Sequence, residues 1–442
     1  MDSTKPAAIA RPALQELQDT IAKYAWLGVL LFSLGWVARL AKFVAEHALN
    51  CLFADDWDYL TPIFHHADAL TVFRWQHGPH REGIGLLFEW AVLALTRWDT
   101  RVVDYAMVGL IGLALLVALW LRFRLTGRLL WSDVLLPLLF CSYRSWESLF
   151  MGCMVSPMVM PLLIIMLCAA AWRMPSLPWC YAAVVLLNLF AVYTGYGLFL
   201  GLVNLFLLGC IAWKDRGTKA MRASLPAFGL ALLTDLSFFW GYSYLPVPGG
   251  SHSLWQYLEF DALLFAYFFN APAWVGGALM VFTLLACSYH LHRWLATGKQ
   301  ESQLIFFLSA FTLLYALNCA VGRVVNGLQY AQTSRYLLLL VPGMVALYLA
   351  ALAIPRVSWR IAGIAALFIP AYLAQQLPIK DEIVIATWNG ARARWSVYYK
   401  QTGNVRQAEH MASFTIDPHP EVSQMDAKLA YLKARRLNLF AP

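Results

Sequence analysis

Runs of about 15 to 22 mostly apolar residues, separated by short polar loops, recur along almost the whole chain. Each is close to the roughly 20 residues that a helix needs to cross a hydrocarbon core of about 30 Å. A backbone in lipid must satisfy its own polar groups, so the runs read as helices. They predict spans at about 24–44, 102–121, 129–141, 153–172, 179–193, 198–213, 224–241, 272–289, 304–320, 336–354 and 361–377. The fold class is therefore all-α, a polytopic transmembrane bundle of about eleven spans with external loop helices. The run from Ile84 to Thr96 is shorter and is interrupted by Glu89. It reads as a helix lying along the outer surface or packed within the protein. Residues 1–23 form an N-terminal segment, 24–377 the membrane domain and about 45–101 its first long loop. Residues 378–442 form a small helical segment, in which "MDAKLAYLKARRLNLF" (425–440) has apolar residues at helical spacing.

Charge orients this pattern. Lys5, Arg11 and Lys23 precede the first span, and "RFRLTGR" (122–128) follows the second. Further inward loops hold Arg173; Lys214, Arg216, Lys219 and Arg222; Arg293 and Lys299; and Arg356 and Arg360. Basic loops stay on the cytoplasmic side, which places the N-terminus inside and residues 45–101 and the C-terminal segment outside. The net charge of +8 is then a topology signal and calls for no nucleic acid. A 60% hydrophobic, 13% charged chain lies outside the range of ordinary soluble domains. The first 22 residues have no apolar core, so no cleavable signal peptide is expected. None of the eight cysteines forms a CxxC zinc pattern, and Cys153, Cys168, Cys210, Cys287 and Cys319 fall in or beside apolar runs, as packing residues do. No Walker or Rossmann signature is present, so no nucleotide cofactor is expected.

The outward loops read differently. "CLFADDWDYL" (51–60) gathers Asp55, Asp56 and Asp58; "RWQHGPHREG" (74–83) adds His77, His80 and Arg81. "SYRSWESLFMG" (142–152) brings Arg144, Trp146 and Glu147, and "VGRVVNGLQYAQTSRY" (321–336) brings Arg323, Arg335 and Tyr336. A carboxylate in hydrogen-bond reach of a hydroxyl can take its proton, and a second can orient the acceptor or hold a divalent cation such as Mg or Mn. Three acids at a helix start are also what a solvated N-terminus accommodates. A guanidinium fork suits phosphate oxygens, although outer arginines also snorkel to headgroups. His77 and His80 make a poor zinc pair, since no further ligands accompany them. Trp146 with Glu147 can hold a sugar ring; Arg144 and Glu147 can equally form a local ion pair. Tyr193 and Tyr196 read as interface aromatics, and Asp235 as an ionisable group inside a span.

An acidic pair amid aromatics in the first external loop resembles the GT-C superfamily of integral-membrane glycosyltransferases. The order "ADDWDYL", "HREGIG", "SWESLFMG", "GR…SRY" resembles a bacterial group of such proteins across about residues 25–350. That group usually has an acid before His-Arg and reads Trp-Glu-Asn. Here Pro79 precedes His80–Arg81, and Ser148 follows Trp146–Glu147. The resemblance implies a GT-C-type fold in a bacterial inner membrane and transfer of a hexose or pentofuranose from a polyprenyl-phosphate donor. The acceptor would be a lipid-linked glycan or a surface protein. Asp55 would be the base and Asp56 its partner, or either the ligand of a divalent cation. Asp58, His80, Arg81, Trp146, Glu147, Arg323, Arg335 and Tyr336 would bind substrate. The alternative is a transporter or flippase for lipid-linked glycans, which would favour internal repeats and charges at the membrane midplane. A scaffold without chemistry is the third reading.

Overall fold

The computed structural model describes residues 10–214, 217–245 and 252–441. Lys5, Arg216 and residues 246–251 lie outside the described residues. Among the described residues, seven segments are long and apolar enough to cross a membrane: Lys23–His47, Thr100–Thr126, Gly152–Ala171, Gly195–Lys214, Ala273–Thr297, Gln300–Asn326 and Ser334–Leu352. The chain is an all-α, multi-pass membrane protein. Gly83–Leu95, Leu177–Val192 and Val357–Leu373 are apolar but shorter, and Lys219–Ser237 is a helix with Pro226 inside it.

The helix limits follow local chemistry. Asp99 caps Thr100–Thr126 by accepting from the Arg101 N–H, and Gly127, at φ 73°, closes its far end. Left-handed backbone there costs glycine little, which is why the long helix stops at that residue. Residues 129–141 depart from expectation. They form a 3-10 turn, Trp131–Val134, and a six-residue helix, Leu135–Phe140. The reason is Asp133. It is fully buried, pairs with Arg122 at 2.8 Å, accepts from the Tyr348 hydroxyl at 2.7 Å and caps the Leu130 N–H at 2.6 Å. That capped turn replaces the continuous span the apolar run predicts.

The first loop folds as three short helices, Asp56–Tyr59, Thr61–Phe64 and Ala69–Phe73, and then a two-residue hairpin pairing Gln76–His77 with His80–Arg81. Gly83–Leu95 follows, with Glu89 buried. Its first residue must be glycine, because a Cβ on Gly83 would overlap the Phe73 carbonyl.

The C-terminal segment is more than the appendage expected. Ile379–Thr402, Val405–Ala412 and Met425–Arg435 pack onto the first loop. The Ala54 N–H donates to the Ile416 carbonyl at 2.9 Å and Arg392 to the Cys51 carbonyl at 2.6 Å. Lys428 reaches the Trp57 carbonyl and the Thr61 hydroxyl. Trp395, Ile416 and Leu429 are fully buried, so tail and loop share one core. A helical pattern in sequence shows apolar spacing but not the surface that will cover it.

Candidate functional site

The two adjacent aspartates have different surroundings. Asp56 is buried, and each of its oxygens accepts a backbone N–H: Phe53 at 3.1 Å and Cys153 at 2.9 Å. Burial pushes its pKa up, against those two hydrogen bonds. Asp56 thus ties the loop to the start of Gly152–Ala171. Asp55, one residue earlier, is half-buried, and its carboxylate has neither hydrogen bond nor ion pair among the described residues. The turn that presents it is tight, with Ala54 at φ 50°. A non-glycine residue in that region is uncommon and costs about 1 kcal/mol or more. The Ala54–Ile416 hydrogen bond helps hold it there.

The hairpin separates its two histidines. His77 lies between Asp58, 3.3 Å from Nε2, and Glu82, 3.4 Å from Nδ1. Burial opposes charge on this ring, but the two carboxylates outweigh it and lift the pKa to about 10. The same contact holds Asp58 below the usual carboxylate range, while burial pushes Glu82 up. His80 points elsewhere. Its ring packs on Tyr196 at 4.6 Å, and burial together with the nearby Arg323 charge lowers its pKa to about 3. One imidazolium and one neutral imidazole therefore sit three residues apart. They do not converge as zinc ligands would.

Arg81 faces away from this group. It is buried and donates to three backbone carbonyls: Phe238 at 3.1 Å, Arg74 at 2.6 Å and Trp240 at 2.6 Å. Its guanidinium anchors the hairpin to Phe238 and Trp240, so each of its three nitrogens already has a backbone partner.

The third and fourth motifs meet directly. The Glu147 Oε2 accepts from the Ser334 hydroxyl at 2.8 Å and from the Arg335 N–H at 3.0 Å. In return the Ser334 hydroxyl accepts from the Glu147 N–H at 3.1 Å, and Ser148 donates to the Arg335 carbonyl at 3.3 Å. A local Arg144–Glu147 ion pair does not form. Arg144 bonds instead to Asp381 at 3.2 Å and to the Tyr267 carbonyl at 2.9 Å. Trp146 is buried edge-on against Trp388, at 5.3 Å. The junction sets the direction of Arg335, whose charge lies in electrostatic range of Tyr336, Glu147, Asp55 and Tyr196.

Arg323 and Arg335 flank the Tyr336 ring at 6.0 and 5.5 Å. Neither forms an ion pair among the described residues. The Nε of Arg335 and the hydroxyl of Tyr336 are buried without a hydrogen-bond partner. A buried guanidinium N–H left unpaired is costly, so the part-buried Arg335, with Arg323 near the same Tyr336 ring, makes an arrangement that can take an anion. Asp55, Glu147, His80, Arg323, Arg335 and Tyr336 thus gather at one end of the bundle, with Tyr196 against His80.

Several participants carried no signal of their own in the sequence. Glu82 sits beside "HR" but is defined by its contact with His77. Lys428 and Asp381 come from the tail and matter only through packing. Tyr193 and Tyr196 are buried within the protein; the Tyr193 hydroxyl bonds to Ser237. Asp235 accepts from Asn188 at 2.8 Å, inside the bundle and apart from the cluster.

The acidic side of the site is a poor cage for a divalent cation. Asp56 already accepts two N–H groups, Asp58 is paired with His77, and Asp55 is left as a single ligand; among the described residues no three His, Cys, Asp or Glu side chains are placed to hold a metal. No model of a known protein family matches this chain, and no curated protein matches it either.

Proposed function

We propose that this chain is an inverting glycosyltransferase of the membrane, using a sugar linked to a polyprenyl phosphate. The observation that carries the reading is the pairing of two arginines lacking carboxylate partners with one carboxylate lacking donors. Arg323 and Arg335 suit the phosphate of the donor, and Asp55 suits an acceptor hydroxyl. In this mechanism the acceptor oxygen attacks the anomeric carbon from the face opposite phosphate. Its proton passes to the Asp55 carboxylate, and the carbon–oxygen bond to phosphate breaks with its electron pair. The lipid phosphate leaves against the guanidiniums, and the anomeric centre inverts. Asp56 is a positioning residue for the Asp55 turn, and Glu147 one for Arg335. His80, as a neutral imidazole, can donate to a phosphate oxygen without titrating near pH 7. No step is routed through a metal ion. The concentration of Lys and Arg in the opposite loops supports an outward-facing site in a bacterial inner membrane. The acceptor is then a hydroxyl of a lipid-linked glycan or of a surface protein.

The test is transfer by purified protein supplied with radiolabelled polyprenyl-phosphate sugars and candidate acceptors. Asp55→Asn should lower the rate by about 10²–10⁴-fold, the usual scale for a lost base, with an unchanged melting temperature. An Asp55→Asn variant that transfers at the wild-type rate ends this reading.

A further inference from the structure

A second cationic site lies at the opposite end of the bundle. Thr100–Thr126 starts beside the first loop, where the Thr100 N–H donates to Asn50 at 3.2 Å. At 1.5 Å per residue its far end is about 40 Å away. There a cleft of about 340 Å³ opens between that end and the helices Gln300–Arg323, Val341–Leu352 and Val357–Leu373. Arg122, Arg128, Arg360 and Glu301 line it beside Leu349 and Leu352. Arg122 is already neutralised by Asp133. Arg128 and Arg360 form no ion pair among the described residues, and neither does Glu301. Arg173 lies within electrostatic range of Glu301 and Arg124, with Nε and one Nη buried and unpartnered. The positive charge here exceeds what the nearby carboxylates can answer.

Orientation by basic loops requires only that positive charge lie on this side. It does not require four helices to converge on a cleft lined by both guanidiniums and leucines. That combination suits an anion that carries hydrocarbon. We infer that the cleft binds the headgroup of an anionic phospholipid, with Arg128 and Arg360 on its phosphodiester and Leu349 and Leu352 against the first acyl carbons. A basic residue near an anionic lipid contributes about fivefold in affinity, so the two together contribute roughly 30-fold. Glu301 opposes the same ligand, and its neutral analogue should bind more tightly.

The experiment is native mass spectrometry of the full chain in neutral detergent, titrated with dioctanoyl phosphatidylglycerol, dioctanoyl phosphatidylcholine or inorganic phosphate. The expected result is binding of phosphatidylglycerol in preference to phosphatidylcholine, weakened roughly 30-fold in an Arg128→Gln/Arg360→Gln variant. Glu301→Gln should strengthen it several-fold, a gain that does not depend on the double variant folding. Equal affinity for the two lipids, or unchanged affinity in a folded double variant, overturns the site. So does an unchanged affinity in Glu301→Gln. Displacement of the lipid by millimolar inorganic phosphate would make this a soluble-anion site and overturn the lipid assignment.

Discussion

Glu147 allows positioning to be separated from direct sugar binding. Both of its hydrogen bonds to the "SRY" segment end on one oxygen, with Ser334 Oγ at 2.8 Å and Arg335 N at 3.0 Å. A glutamine has one carbonyl oxygen that can accept both, whereas alanine has none. Hydrogen bonds to a charged acceptor contribute about 1.5–3 kcal/mol each, and neutral ones about 0.5–1.5 kcal/mol. Glu147 is half-buried, so water replaces part of what is lost. On this basis Glu147→Ala should cost about 2–4 kcal/mol and Glu147→Gln about 1–2 kcal/mol. The Ser334 hydroxyl is buried and would lose its acceptor in the alanine variant, which adds to the difference. A displacement of about 1 Å at a reacting centre can cost about 10²-fold. Glu147→Ala should therefore raise the donor KM and depress kcat, while Glu147→Gln keeps most activity. Melting in detergent and donor titrations on both variants measure the two effects. If Glu147→Gln is as inactive as Glu147→Ala yet melts with wild type, the carboxylate acts on substrate and the positioning argument is refuted.

Arg335→Lys should weaken use of the donor more than of the acceptor, because an ammonium cannot reproduce the guanidinium fork; identical titrations for variant and wild type would assign Arg335 a structural role. The His77 pKa is raised from its ordinary 6.5 to about 10, so its stabilisation is full below about pH 6.5 and is lost as pH rises through about 10. The melting temperature of wild type should fall across that window relative to His77→Gln. The comparison between the two curves separates His77 from Lys428, which burial lowers to about 8, and parallel curves would contradict the pairing. Asp58 is 47% exposed and every native cysteine is at least half-buried. Asp58→Cys should therefore react with an impermeant thiol reagent in intact cells, and labelling only after lysis would reverse the proposed orientation.

The amino-acid sequence determined the membrane class by itself. A long apolar run has one economical solution in lipid, a helix whose backbone bonds are internal, so the pattern translates almost directly into Thr100–Thr126 or Ala273–Thr297. The run at 129–141 shows where that logic ends, since one buried aspartate, answered by Arg122 and Tyr348, turns the chain into short pieces. The motifs at 55–58, 146–148 and 334–336 were legible because polar residues stand out against so apolar a background. What each does was not legible. Asp55 and Asp56 are adjacent and alike in sequence, yet the folded loop turns the Phe53 N–H and the distant Cys153 N–H to one and none to the other. Arg81 and Arg335 carry the same fork, but the carbonyls of Arg74, Phe238 and Trp240 occupy the first, while the Nε of the second is buried and unpartnered. The tail at 378–442 read as a separate piece because its partners, Cys51, Trp57 and Thr61, lie more than three hundred residues away. Apolar spacing is a local property and survives in the sequence. Which donor meets which acceptor depends on contacts between distant segments, and those exist only once the chain has folded.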